Sequence, residues 1–170
     1  YNRWSKRRIW QRIFEKMAAA GPVLCIDTSH VKGAPLGRWL KKGEFAEAIG
    51  RSRGGRTSKI HALADDRGRP VAFALTPGNV ADITMAIPLL AAVDKPKRLL
   101  ADKAYDADSF RNWLKRRKVK AVIPSTATRR TPYPLDQKTY RRRNVIERLF
   151  CKLKNWRRIA TRYDRHRQGP

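Results

Sequence analysis

The chain has 170 residues, enough for one domain with its own core and short for two. Its 40 Lys and Arg against 14 Asp and Glu give a formal net charge of +26, spread from Arg3 to Arg167, a field that attracts phosphate polyanions. No apolar stretch approaches the roughly 20 residues of a membrane span, and the basic, aromatic start lacks the apolar run of a signal peptide.

Near the start, Ile9, Trp10, Ile13, Phe14 and Met17 share one helical face, and Gly21 and Pro22 supply the stop. Val23 to Asp27 (VLCID) is a short apolar run expected to be a buried strand that ends at the aspartate. Thr28 to Thr57 is rich in Gly and Lys/Arg with little periodicity, and GRSRGGRTS within it reads as a loop or turn. Lys59–Asp66 and Pro70–Thr76 predict two strands joined by a tight turn over Asp66–Arg69. Asp82 is expected to cap a helix through Ile83, Ala86, Ile87 and Leu90, with Pro88 kinking it.

A further strand is expected at Arg98–Leu100, leading to Asp102. A helix from about Asp106 to Lys118 carries Phe110, Trp113 and Leu114 inward, with Asp106 and Asp108 expected to cap and charge its first turn. Val119–Pro124 predicts the last strand, and a long helix runs from about Gln137 to Trp156, with Trp156 on its core side. Cys25 in a strand and Cys151 on a helix read as two reduced thiols rather than a disulfide or zinc site, which predicts a cytoplasmic protein. The order of elements predicts a mixed sheet covered by helices, an α/β or α+β architecture.

Three acids stand out because acids are scarce. Asp27 and Asp102 each follow a strand-like run, where ligands of open α/β sheets collect. Two carboxylates there repel unless a cation lies between them, and Mg²⁺ suits such hard oxygen ligands, with Mn²⁺ able to substitute. On the last helix Tyr140, Arg143, Glu147 and Lys154 fall within roughly 60° of one another at about 100° per residue. Ile146, Leu149, Phe150 and Leu153 form a separate apolar stripe, so Glu147 stands at the border of the buried face. Arg143 and Lys154 are expected to clamp phosphates and Tyr140 to donate a hydrogen bond or stack on a base. Glu147 and Arg143 also have the spacing of an ordinary helical ion pair. His30 follows the first acid closely enough to be an active-site neighbour, whereas His61 reads as structural. Arg51, Arg53 and Arg56 lie among glycines that admit phosphate close to the backbone.

IDTSH, AIGRSRGGRTSKIHALADDRGRP, LADKAYD and RRRNVIERLFCKLKNWRRIATRYD resemble the DDE transposases of bacterial insertion sequences, in particular the insertion-sequence-five group of the insertion-sequence-four superfamily. Tyr140-x2-Arg143-x3-Glu147-x6-Lys154 is similar to that superfamily's signature on its final catalytic helix. The resemblance implies a ribonuclease-H-like mixed five-stranded sheet with Asp27, Asp102 and Glu147 as metal-binding catalytic triad. It implies metal-dependent cleavage at transposon ends and strand transfer into target DNA, by a homodimer or larger complex on terminal inverted repeats. On that reading residues 1–21 are the remnant of an end-binding region, 22–160 the catalytic domain, and 161–170 a polar tail. A nuclease of similar fold that cleaves without joining, or a truncated, inactive fragment that retains DNA binding, are the competing readings.

Overall fold

A computed structural model describes residues 9, 12, 21–33, 50–52 and 55–162. Ile9 and Arg12 are helical, while Trp10, Ile13, Phe14 and Met17 lie outside the described residues. Strands β1 (Val23–Gly33), β2 (Gly50–Ser52), β3 (Gly55–Asp65) and β4 (Pro70–Pro77) come first. A 3₁₀ turn (Asp82–Met85) then leads into helix α1 (Ala86–Ala91), followed by β5 (Arg98–Leu100), a second 3₁₀ turn (Lys103–Tyr105), α2 (Asp108–Arg116) and β6 (Lys120–Val122). The chain continues through α3 (Gln137–Tyr140), a 3₁₀ turn (Arg141–Arg143), α4 (Asn144–Lys154), α5 (Arg157–Ala160) and β7 (Thr161–Arg162).

The five principal strands lie in the order β4–β3–β1–β5–β6, with β1, β3 and β4 antiparallel and β1, β5 and β6 parallel. This is the ribonuclease-H-like mixed sheet, with helices on its faces. β2 continues the outer edge of β3 beyond β4, and β7 pairs with Lys32–Gly33 of β1. Alternation along β1 sorts the core into two layers. Leu24 and Ile26 face Leu89, Leu90, Phe110 and Leu114 of α1 and α2, whereas Val23 and Cys25 face Ile146, Leu149 and Phe150 of α4. Each fully buried Leu, Ile or Phe contributes about 1.5–3 kcal/mol through removal from water.

Several local expectations are corrected. β1 does not end at Asp27 but runs on to Gly33, because Thr28–Lys32 pair with His61–Thr57 of β3. Cross-strand pairing, invisible in a local window, overrides the run's weak periodicity. For the same reason GRSRGGRTS is not a loop throughout: Gly50–Ser52 and the residues from Gly55 onward are paired strands. Asp82 caps no helix; its carboxylate takes the Lys59 ammonium at 2.7 Å, and Lys59 Nζ also donates to the Val80 carbonyl at 2.6 Å. Pro88 falls in the first turn of a six-residue helix, where its missing N–H leaves no gap in the hydrogen bonding. The helix expected over Gln137–Trp156 is interrupted by the 3₁₀ turn at Arg141–Arg143 and ends at Lys154. Trp156 therefore lies past the helix, 71% exposed rather than in the core. The turn over Asp66–Arg69 is as expected, with Gly68 at φ 78° and Asp65 receiving the Arg67 and Arg69 amides.

Asp106 does not cap α2, whose first flanking residue is Ala107; Asp108 does sit in the helix's first turn. The Asp106 carboxylate is fully buried and accepts from Arg111 Nε at 2.6 Å, Arg129 Nε at 3.0 Å and the Thr126 amide at 2.7 Å. Both guanidiniums lie over the Tyr133 ring, 4.2 and 5.0 Å from its centroid. The knot ties the connector between β6 and α3 to α2, and so sets where the following helices begin. Burial alone raises an acid's pKa, but hydrogen bonds from Arg129, Thr126 and Arg111 hold that of Asp106 down at about 2. A folded pKa below the unfolded value of about 3.9 contributes stability above pH ~4, and that contribution is lost as the pH falls toward 2. Asp106→Asn leaves the Arg111 and Arg129 guanidiniums without their carboxylate, and is expected to lower the unfolding free energy by about 1–3 kcal/mol in urea titrations at pH 7. The deficit should shrink as both proteins are acidified toward pH 2; a variant as stable as the parent at pH 7 refutes the knot.

Candidate active site

On one edge of β1, β5 pairs with Val23–Cys25 and β7 with Lys32–Gly33, and among the described residues no strand pairs with the stretch between them. Asp27 lies near the start of this stretch. The last β1–β5 pair is Cys25 with Leu100, so Asp27, within β1, and Asp102, at the cap of the turn that follows β5, each stand two residues beyond it. Burial first, and then the charge of Asp102, raise the pKa of Asp27. The Thr28 amide and the Arg143 guanidinium oppose that rise. Asp102 also folds its own turn, its Oδ1 accepting from the Ala104 amide at 2.9 Å.

Asp27 is on the face of β1 that meets α4, and there it meets Arg143. Arg143 Nη1 donates to Asp27 Oδ2 at 2.8 Å, while its Nη2 donates to Glu147 Oε1, one helical turn further on. One guanidinium thus joins two acids from opposite ends of the chain. Its Cζ lies 5.8 Å from the Tyr140 ring centroid, and Tyr140 packs against the core layer of Ile146 and Leu149. Asp27 and Arg143 side chains are 18% and 16% exposed, whereas Glu147 is 54% exposed. Among the described residues, no three His, Cys, Asp or Glu side chains converge as a metal-holding group. The donor set itself is all carboxylate oxygen, which suits a hard divalent ion that keeps water and phosphate in its remaining positions.

Other singled-out residues disperse. Arg143 faces inward to the acids rather than outward with Lys154, which is exposed at the far end of α4. His30 is exposed on the opposite face of β1 from Asp27, its Nε2 3.4 Å from the Gly78 carbonyl. His61 is fully buried with Nε2 2.7 Å from Thr76 Oγ1, and burial lowers its pKa, in keeping with a structural residue. Arg51 and Arg56 are register partners on β2 and β3; their side chains and the whole of Arg53 lie outside the described residues. Sequence reasoning passed over Tyr105, which is fully buried at the end of the Asp102 turn. The Thr28 hydroxyl lies beside its own but outside hydrogen-bonding geometry, and burial, with the charges of Asp82, Asp27 and Asp102, raises its pKa. Its neighbours in the sequence, Lys103, Ala104, Asp106 and Asp108, gave no sign of its burial.

Scarce acids thus gather where β1 parts from β5 in a ribonuclease-H-like mixed sheet, with the basic segment leading into α4 packed over Asp27. Residues 18–168 match the family described as the transposase DDE domain, and the chain belongs to that family. A relative from Brucella ovis, named as a transposase for insertion sequence element IS6501, is 37% identical over 64% of this chain and 85% of its own length. A second, from Burkholderia cepacia and named for insertion sequence element IS402, is 32% identical over 75% of this chain; the chain spans 63% of that relative. The solved piggyBac transposase synaptic complex with hairpin DNA superposes with a TM-score of 0.48 at 16% identity, over 73% of this chain and 28% of that one. That likeness carries no weight beside the sheet order itself. Among the described residues, no helix is long and apolar enough to cross a membrane.

The double duty of Asp102 makes a prediction. Asp102→Ala removes the turn's amide acceptor and is expected to lower stability by about 1 kcal/mol in urea melts, whereas Asp102→Asn keeps an acceptor and loses less. Equal losses in the two variants would contradict the capping contact.

Proposed function

We propose that the chain carries the metal-dependent catalytic centre of an insertion-sequence transposase of the insertion-sequence-five group, with Asp27, Asp102 and Glu147 as the catalytic and metal-binding acids. The observation that carries this reading is the joint placement of Asp27 beside Asp102 at the strand opening and, through Arg143, beside Glu147. Asp27 and Asp102 provide the two-carboxylate seat, and Glu147 reaches it by reorienting its exposed side chain. A bound Mg²⁺, or Mn²⁺ in its place, supplies a lowered pKa for the attacking hydroxyl and charge neutralisation at the leaving oxygen.

The residues' own work is to orient and to neutralise. Asp27 and Asp102 are held by the Thr28 and Ala104 amides, so their carboxylates need no reordering as substrate arrives. DNA lies along the basic face of the last helices. There Arg141, Arg142, Arg148, Lys152 and Lys154 are exposed for phosphate contact, and Tyr140 borders the acids. A water attacks the phosphodiester at the element's end, releasing a 3′-hydroxyl; that hydroxyl then attacks target DNA in line. Arg51, Arg53 and Arg56 add phosphate contacts from the region around β2 and β3. The domain reading of residues 22–160 as catalytic unit follows from the same assignment. So do terminal inverted repeats and target DNA as partners, a homodimer or larger active complex, and a cytoplasmic, nucleoid-bound location.

Asp27→Asn, Asp102→Asn and Glu147→Gln should each lower Mg²⁺- or Mn²⁺-dependent cleavage of end-bearing DNA by more than about a hundredfold, beyond the loss caused by a missing outer-shell partner. Salt-dependent DNA binding in gel-shift titrations should survive in all three. Normal cleavage by any of them removes that residue from the centre. Products joined to a second duplex mark strand transfer; free ends alone mark a nuclease.

A further inference from the structure

We propose that Arg143 is a positioning residue: its guanidinium holds Asp27 and Glu147 together as a resident cation and yields when a divalent ion takes the carboxylates. The inference rests on the assignment of Asp27, Asp102 and Glu147 as metal-holding acids and adds a competitor for their oxygens. Both oxygens of Asp27 are engaged, Oδ1 by the Thr28 amide at 2.8 Å and Oδ2 by Arg143 Nη1 at 2.8 Å. Asp102 differs: its Oδ1 takes the Ala104 amide, while its Oδ2 has no hydrogen-bond partner among the described residues. A metal can therefore approach Asp102 directly but must share or displace the arginine at Asp27. The same guanidinium holds Glu147 Oε1, so a single side-chain movement frees an oxygen on two of the three acids.

The fork geometry of the guanidinium is what makes this possible. Two N–H groups diverge from one planar cation and serve two carboxylates at once, which a lysine ammonium on its single point cannot reproduce. Arg143 is mostly buried, with Tyr140 beside it, so bulk water screens its pairs only partly. The pairing also explains how Asp27 and Glu147, 120 positions apart, stay close while repelling each other. The arginine's position makes it a counter-charge for the acids as well as a candidate phosphate clamp.

The test is Mn²⁺ binding to the full chain without DNA, with free Mn²⁺ read by electron paramagnetic resonance, on the parent, Arg143→Gln, Arg143→Lys and Asp102→Asn. Arg143→Gln is expected to bind Mn²⁺ about tenfold more tightly, since a unit charge a few ångströms away acts at more than 1.4 kcal/mol at an effective dielectric near 20. Arg143→Lys keeps the charge but loses the fork, and should bind more tightly than the parent though less so than the glutamine variant. Without metal, Arg143→Gln should melt at a lower temperature than the parent, and Mn²⁺ should raise its melting temperature by more. Unchanged or weaker Mn²⁺ binding by Arg143→Gln overturns the proposal. So does a lysine variant that matches the parent, because simple charge repulsion then accounts for everything. Should Arg143→Gln not melt cooperatively, the lysine variant alone decides. Asp102→Asn is the separate control: Mn²⁺ binding that survives it refutes the metal seat itself, whatever Arg143 does.

Discussion

A largely buried carboxylate with a second acid nearby demands a counter-charge, and the segment leading into α4 supplies it. Asp27 within β1 and Asp102 just past the end of β5 stand where the two strands part. Asp27 is largely buried, and both its burial and its neighbour work against its ionised form. Arg143 answers from the start of α4, and carries Glu147 with it through its second nitrogen. The ion bridge and the apolar contacts of Ile146, Leu149 and Phe150 with Val23 and Cys25 act on the same face of the helix.

The surrounding architecture positions that arrangement. On one side, no strand among the described residues pairs with that edge of β1 between β5 and β7, where Asp27 lies. On the other, the buried Asp106 knot ties the connector from β6 to α2 before the chain turns into α3. Asp136 then caps α3, its carboxylate receiving the Thr139 amide and hydroxyl. The path from the last strand to Glu147 is thus held at both ends by carboxylates, in a protein with few of them. In a chain of net charge +26, acids serve where a specific cation must be held, while the exposed cations remain available to polyanions.

Much of this was legible in linear order because it depends on neighbours in the chain. The hairpin of β3 and β4 announced itself through alternation and the Asp66–Arg69 turn, with Gly68 supplying the positive φ. The inward set of Phe110 and Leu114 follows from helical spacing, as does the Arg143–Glu147 pair. Misreadings occurred where a partner distant in sequence prevailed. β1 continues past Asp27 because β3 pairs with it, and Asp106 and Asp82 were claimed by Arg111, Arg129 and Lys59 before they could cap helices. Trp156 kept its apolar look but lost its core position when the helix ended ahead of it.

By itself, the sequence determined the mixed sheet with its helices, the family through its motifs, and the three acids worth watching. Those properties reside in residue type and short-range spacing. The tertiary structure alone decided that Asp27 lies within a long strand, that Arg143 turns inward to two acids, and that His30 falls on the opposite face from them. Each of these depends on strand register or on a contact across more than a hundred residues, and charge interactions act through space with no trace in local periodicity.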